Sequence, residues 1–150
     1  MKSEKTFSQM LEETGYVVYT TRGVSMQPLL RQGKDVVVIE KPKEHWKKYD
    51  TVLFLRKNGK SILHKILNIY DDKYWIVGDN CFKGEIVNGN QIIGVMTSIK
   101  RGNKIIQITN WQYRLYIHLW CDFYPVRFLL LRAYKNAYRV WTFVKRRIYN

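Results

Sequence analysis

Cysteine is scarce in this chain of 150 residues, with only Cys81 and Cys121 present. Two are too few for a disulfide scaffold, and their positions match no metal-ligand spacing, so they read as free thiols in a reducing compartment, with a single bridge between them as the alternative. An export signal is also missing from the start of the sequence: Met1 to Gly15 is polar and charged where such a signal needs an apolar core. Long hydrophobic runs are absent as well. The most apolar stretch, 115–131, is interrupted by His118, Asp122, Pro125 and Arg127. It therefore falls short of the roughly 18 uninterrupted apolar residues expected of a spanning helix. These absences predict a cytoplasmic or peripherally membrane-associated protein without an integral anchor. Acids are few, 12 against 26 Lys and Arg, giving a net charge of +14. Half of that excess falls in the last quarter of the chain, where residues 111–150 carry a single acid, Asp122.

Periodicity divides the sequence into two parts. Thr6 to Glu13 suits a short helix stopped by Gly15. After it come short β-rich runs at 17–21, 36–39, 51–55, 62–69, 74–77, 92–99 and 105–108, separated by turn residues such as Asn58-Gly59 and Gly102-Asn103. This pattern predicts a mainly β, α+β fold: a partly closed sheet over residues 1–110, with a helical appendage over 111–150. Asn110 suits an N-cap, Pro125 breaks the segment, and a second helix runs to about Arg147. In that helix Leu130, Tyr134, Ala137, Trp141, Val144 and Ile148 form an apolar stripe opposite Arg132, Lys135, Arg139 and Arg146. An anionic membrane surface is one expected partner for this segment, packing on the sheet is the other, and nucleic acid is the weaker option because no readout motif accompanies the charge.

Chemistry concentrates in three places. Ser25 lies in Gly23-Val24-Ser25-Met26-Gln27-Pro28, His64 in Ile62-Leu63-His64-Lys65-Ile66, and acids follow in Gly78-Asp79-Asn80 and at Glu85. A serine hydroxyl is a weak nucleophile and needs a base. His64 suits that role because an ordinary imidazole is mostly neutral above pH 7. Gly23 permits a sharp turn whose backbone N–H groups, with those near Val24 and Met26, could hold an oxyanion. Glu85 or Asp79 could orient His64. Lys65 faces away from His64 by strand alternation and is a poor base. Serine chemistry of this kind calls for no cofactor and no metal.

At these residues the sequence resembles the S24/S26 peptidase superfamily, and most closely the type I signal peptidases of the endoplasmic-reticulum type. Gly23 to Leu30 followed by Gly33-Lys34-Asp35-Val36-Val37 looks like the nucleophile box, and Tyr49 to Phe54 like the second strand box. Leu63-His64-Lys65-Ile66 sits where that subgroup has its base histidine, and Gly78-Asp79-Asn80 with Ile93-Gly94-Val95 completes the order. One departure is Gly23, where many signal peptidases have a serine that donates to the oxyanion. The resemblance implies a serine endopeptidase acting on an extended leader or signal-like peptide with small side chains before the cut. A peptide-binding module of the same fold and a self-cleaving regulator are the alternatives.

Overall fold

The computed structural model describes residues 6–41 and 45–148. Helix α1 spans Phe7–Thr14. Thr6 and Gln9 cap it reciprocally, each side chain accepting from the other's backbone N–H, and Gly15 ends it in the left-handed region at φ +78°. Eight strands follow: β1 (Tyr16–Thr20), β2 (Asp35–Glu40), β3 (Thr51–Leu55), β4 (Ser61–Tyr70), β5 (Lys73–Val77), β6 (Glu85–Asn88), β7 (Ile92–Arg101) and β8 (Lys104–Gln107). They form one antiparallel sheet in the order β1-β2-β7-β3-β4-β5-β6, with β8 also on β7. The mainly β, α+β expectation holds. Strand β6 is not legible in the sequence, because only Val87 of its four residues is buried and the period-two signal is too short to read.

Both faces of the sheet are packed, and β3 shows why its sequence is apolar throughout. Alternation sends Leu53 into a large cluster with Val37, Ile39 and Ile99, and sends Val52 and Phe54 into a smaller one with Ile66 and Ile76. Strand β4 inherits the same division. His64 lies toward Phe54, whereas Lys65 enters the side closed by the C-terminal helices.

Besides β6 and β8, which each pair on one side only, two further backbone edges are open. Strand β1 pairs only with β2, and residues 61–64 of β4 pair only with β3, because β5 joins β4 from Lys65 onward.

Helix α2 (Trp111–Ile117) is capped by Asn110, whose side chain accepts from the Gln112 N–H at 3.0 Å. It continues through a π-helical turn, His118–Asp122, into α3 (Tyr124–Ile148). Pro125 occupies the first turn of α3, where its missing N–H costs nothing. Tyr113, Ile117 and Cys121 belong to the large core cluster, so the core continues past residue 110. None of the described helices is long and apolar enough to cross a membrane.

Candidate functional site

The loop from Thr21 to Lys34 carries Ser25 and is braced at both ends. Asp35, fully buried, accepts from the Arg31 backbone N–H at 2.9 Å and from the guanidinium groups of Arg31 and Arg101, each at 2.8 Å. Burial alone would raise the Asp35 pKa, but the hydrogen bonds from Arg101 and Arg31 outweigh it and hold the carboxyl at about 2. Arg101 also donates to the Leu29 carbonyl at 2.6 Å. Within the loop Gly23 takes φ +83°, a conformation a side chain would strain. Met26, Leu29 and Leu30 are buried and pin the turn to the core, while Ser25 is half-buried and the Val24 side chain is exposed. The Gln27–Pro28 peptide is cis.

His64 reaches this loop from the middle of the sheet. The point where a Cβ on Gly78 would sit is 2.7 Å from the Ser25 carbonyl oxygen and 2.8 Å from His64 Nε2. The serine loop and the imidazole therefore converge over a bare Cα, and any side chain at 78 would separate them. No hydrogen bond joins Ser25 Oγ to the ring. Burial is the main force on His64, lowering its pKa to about 4, with Glu85 opposing weakly. It is thus a neutral imidazole at physiological pH.

The two acids left open by the sequence occupy different places. Glu85 Oε1 lies 3.8 Å from His64 Nδ1, beyond hydrogen-bond length, and the Glu85 carboxylate accepts from Arg56 at 2.9 Å through Oε2 and at 2.7 Å through Oε1. Asp79 is fully buried and turned elsewhere. Its carboxylate accepts from Lys65 Nζ at 3.0 Å through both oxygens and from the Tyr116 hydroxyl at 2.8 Å. Burial pushes the Lys65 pKa down, but the Asp79 charge prevails and the net shift is upward, so Lys65 is a held ammonium rather than a base. Of the two acids, Glu85 is the one beside the imidazole. Burial raises the Cys81 thiol pKa, keeping it protonated next to Gly78. His118 hydrogen-bonds Asp122 on the exposed helix surface, and His45 is exposed. Among the described residues no group of three His, Cys, Asp or Glu side chains could hold a metal ion.

Segment 78–81 is fastened from the C-terminal side. Trp120 donates to the Asp79 carbonyl at 3.0 Å, Arg127 to the Gly78 and Cys81 carbonyls at 2.9 and 3.0 Å, and Lys135 to the Asn80 carbonyl at 3.1 Å. Asn80 passes the restraint on: its backbone N–H donates to the Ser25 carbonyl at 2.7 Å and its side chain to the Val24 carbonyl at 3.1 Å. Sequence reasoning missed Arg56, Tyr116, Trp120, Arg127 and Lys135 as site supports. Only Arg127, a lone cation inside an apolar stretch, carried a readable signal.

A cavity of about 90 Å³ opens beside Ser25, lined by Tyr19 and Gly23 on one side and by Leu53, Ile62 and Leu63 on the other. It lies between two unpaired edges, β1 and the first half of β4. The N–H groups of Ser25 and Met26 donate to no acceptor among the described residues. No protein-family model and no curated protein matches the chain.

Proposed function

We propose that this protein is a serine endopeptidase of signal-peptidase-like type, with Ser25 as nucleophile and His64 as general base. The observation that supports it is the meeting of the Ser25 loop and a neutral, buried imidazole at Gly78, next to a cavity between two open strand edges. An extended peptide would lie in that gap, hydrogen-bonding to the backbone of β1 and of residues 61–64. The cavity takes a small side chain, in keeping with the small residues that the family resemblance implies before the cut.

In this reading Ser25 Oγ attacks the peptide carbonyl as its proton passes to His64 Nε2. The free N–H groups of Ser25 and Met26 are the donors for the oxyanion, in the absence of a hydroxyl at Gly23. His64 then protonates the leaving amine, and a water deprotonated by His64 opens the acyl-enzyme. Glu85, fixed by Arg56, favours the imidazolium electrostatically.

The test is labelling of Ser25 by a fluorophosphonate, combined with cleavage of extended peptides bearing Ala or Gly before the scissile bond. Wild type should label and cleave; Ser25→Ala and His64→Ala should do neither. A wild-type protein that binds such peptides without labelling or cleavage would establish the binding-module alternative instead.

A further inference from the structure

Helix α3 turns its two faces to different surroundings. Arg127, Leu131 and Lys135 point inward to the 78–81 segment and the core. On the other side Val126, Leu129, Leu130, Val140, Trp141 and Val144 are each between 45% and 64% exposed. With Ala133, Tyr134 and Ala137 between them, these positions fall within an arc of about 140° at 100° per residue. Leu130 and Tyr134, at one margin of the arc, line a cleft with Gln27, Pro28 and Arg31 of the serine loop, and the remainder of the arc runs the length of the helix. An apolar face of this size on a single helix marks an interaction surface rather than scattered exposure.

Charge identifies what covers it. Residues 124–148 hold seven Lys and Arg and no acid. Arg132 and Arg139 are exposed to one side of the apolar arc; Lys145 stacks over the Trp141 ring at 5.2 Å and Arg147 over Phe143 at 5.3 Å. A second copy of this helix would bring like charges together along the seam, with no acid to pair them. A nucleic acid would meet the apolar arc first. Apolar and aromatic side chains bordered by cations and by no acid fit the boundary between acyl chains and anionic head groups.

We propose that α3 is an interfacial helix that docks the protein on an anionic bilayer surface, lying in its plane with the apolar arc immersed. The proposal does not rest on the peptidase reading. It does bear on it, because Arg127 and Lys135 of the same helix hold the segment that supports Ser25, so docking sets the cleft at a fixed height above the membrane.

The experiment is co-sedimentation of the full chain with vesicles of phosphatidylcholine containing one quarter phosphatidylglycerol, and with phosphatidylcholine alone, in low and high salt. Binding is expected to the anionic vesicles, with a blue shift of tryptophan emission that Trp141→Phe largely removes. Val140→Glu with Trp141→Glu should reduce binding more than tenfold with an unchanged circular dichroism spectrum. Arg132→Gln with Arg139→Gln should weaken it about tenfold, as should high salt. Ser25→Ala should bind like wild type, so that loss of peptidase activity and loss of docking are read separately. Equal binding to neutral and anionic vesicles, no binding, or a dimer in solution that Val140→Glu with Trp141→Glu dissociates would each overturn the proposal.

Discussion

In the proposed peptidase His64 sets the pH behaviour of the site, because the residue is only 7% exposed. A base must be neutral to act, and burial has moved the point of protonation to about 4. The acid limb of kcat/KM is therefore expected near pH 4 instead of near the 6.5 of a solvated imidazole. A pH–rate profile on a leader-like peptide checks this; a limb at 6 to 7 would contradict a buried, dry imidazole as the proposed base. Gly78 makes a second prediction at this scale. Its missing Cβ would lie 2.8 Å from His64 Nε2 and 2.7 Å from the Ser25 carbonyl, contacts that real Cβ atoms do not tolerate. Gly78→Ala is expected to lower the kcat of the proposed peptidase at least 100-fold by spreading His64 from the Ser25 loop, because misplacement of about 1 Å costs that much. Glu85→Gln should be milder, about tenfold, since that carboxylate acts on the ring from beyond hydrogen-bond length.

Helices α2 and α3 belong to the core and to the site as much as the strands do. Tyr113, Ile117, Cys121 and Leu131 are each at most 8% exposed, and burial of such side chains contributes roughly 2 kcal/mol apiece. Their sum is comparable with the whole stability of a small domain, about 5–15 kcal/mol. Truncation after Thr109 would also uncover the Lys65–Asp79 pair. It is expected to leave a chain with no cooperative thermal transition, as calorimetry would show. The amphipathic pattern of 124–148 and the Asn110 cap were legible because both are local signals. The role of the helices in holding 78–81 was not: Lys135 and Asn80 are 55 positions apart and no sequence period links them. Likewise the strand alternation correctly put Lys65 on the opposite side from His64. It could not show that this side is closed by Tyr116, so the lysine meets a carboxylate instead of water.

For the molecule as a whole, a buried neutral histidine is an acid liability. The unfolded chain binds a proton at His64 near 6.5 and the folded chain near 4, so between those values unfolding takes up a proton. The full stability is present above pH 6.5 and falls as the pH drops toward 4, by about 3 kcal/mol. Urea titrations at pH 7 and pH 4 should show this loss, and His64→Phe should reduce it. The Asp35 carboxyl works in a lower window, its contribution fading only as the pH falls below 3.8 toward 2. Removing it altogether, as in Asp35→Ala, should cost about 3 kcal/mol at neutral pH, because the Arg31 N–H and both guanidinium groups lose their acceptor.

Neighbouring positions 64 and 65 hold the two basic side chains of β4, one for each face of the sheet. Alignment of this strand is consequently a chemical matter as well as a geometric one. Were β4 to anneal one residue out of step, every side chain would change sides. An ammonium would then arrive beside Ser25 and an imidazole would confront Asp79, leaving the carboxylate without its two-pronged partner in a water-free setting. The Lys65–Asp79 pair thus works as a proofreading key, fitting only when the strand has annealed in the frame that brings His64 to the serine.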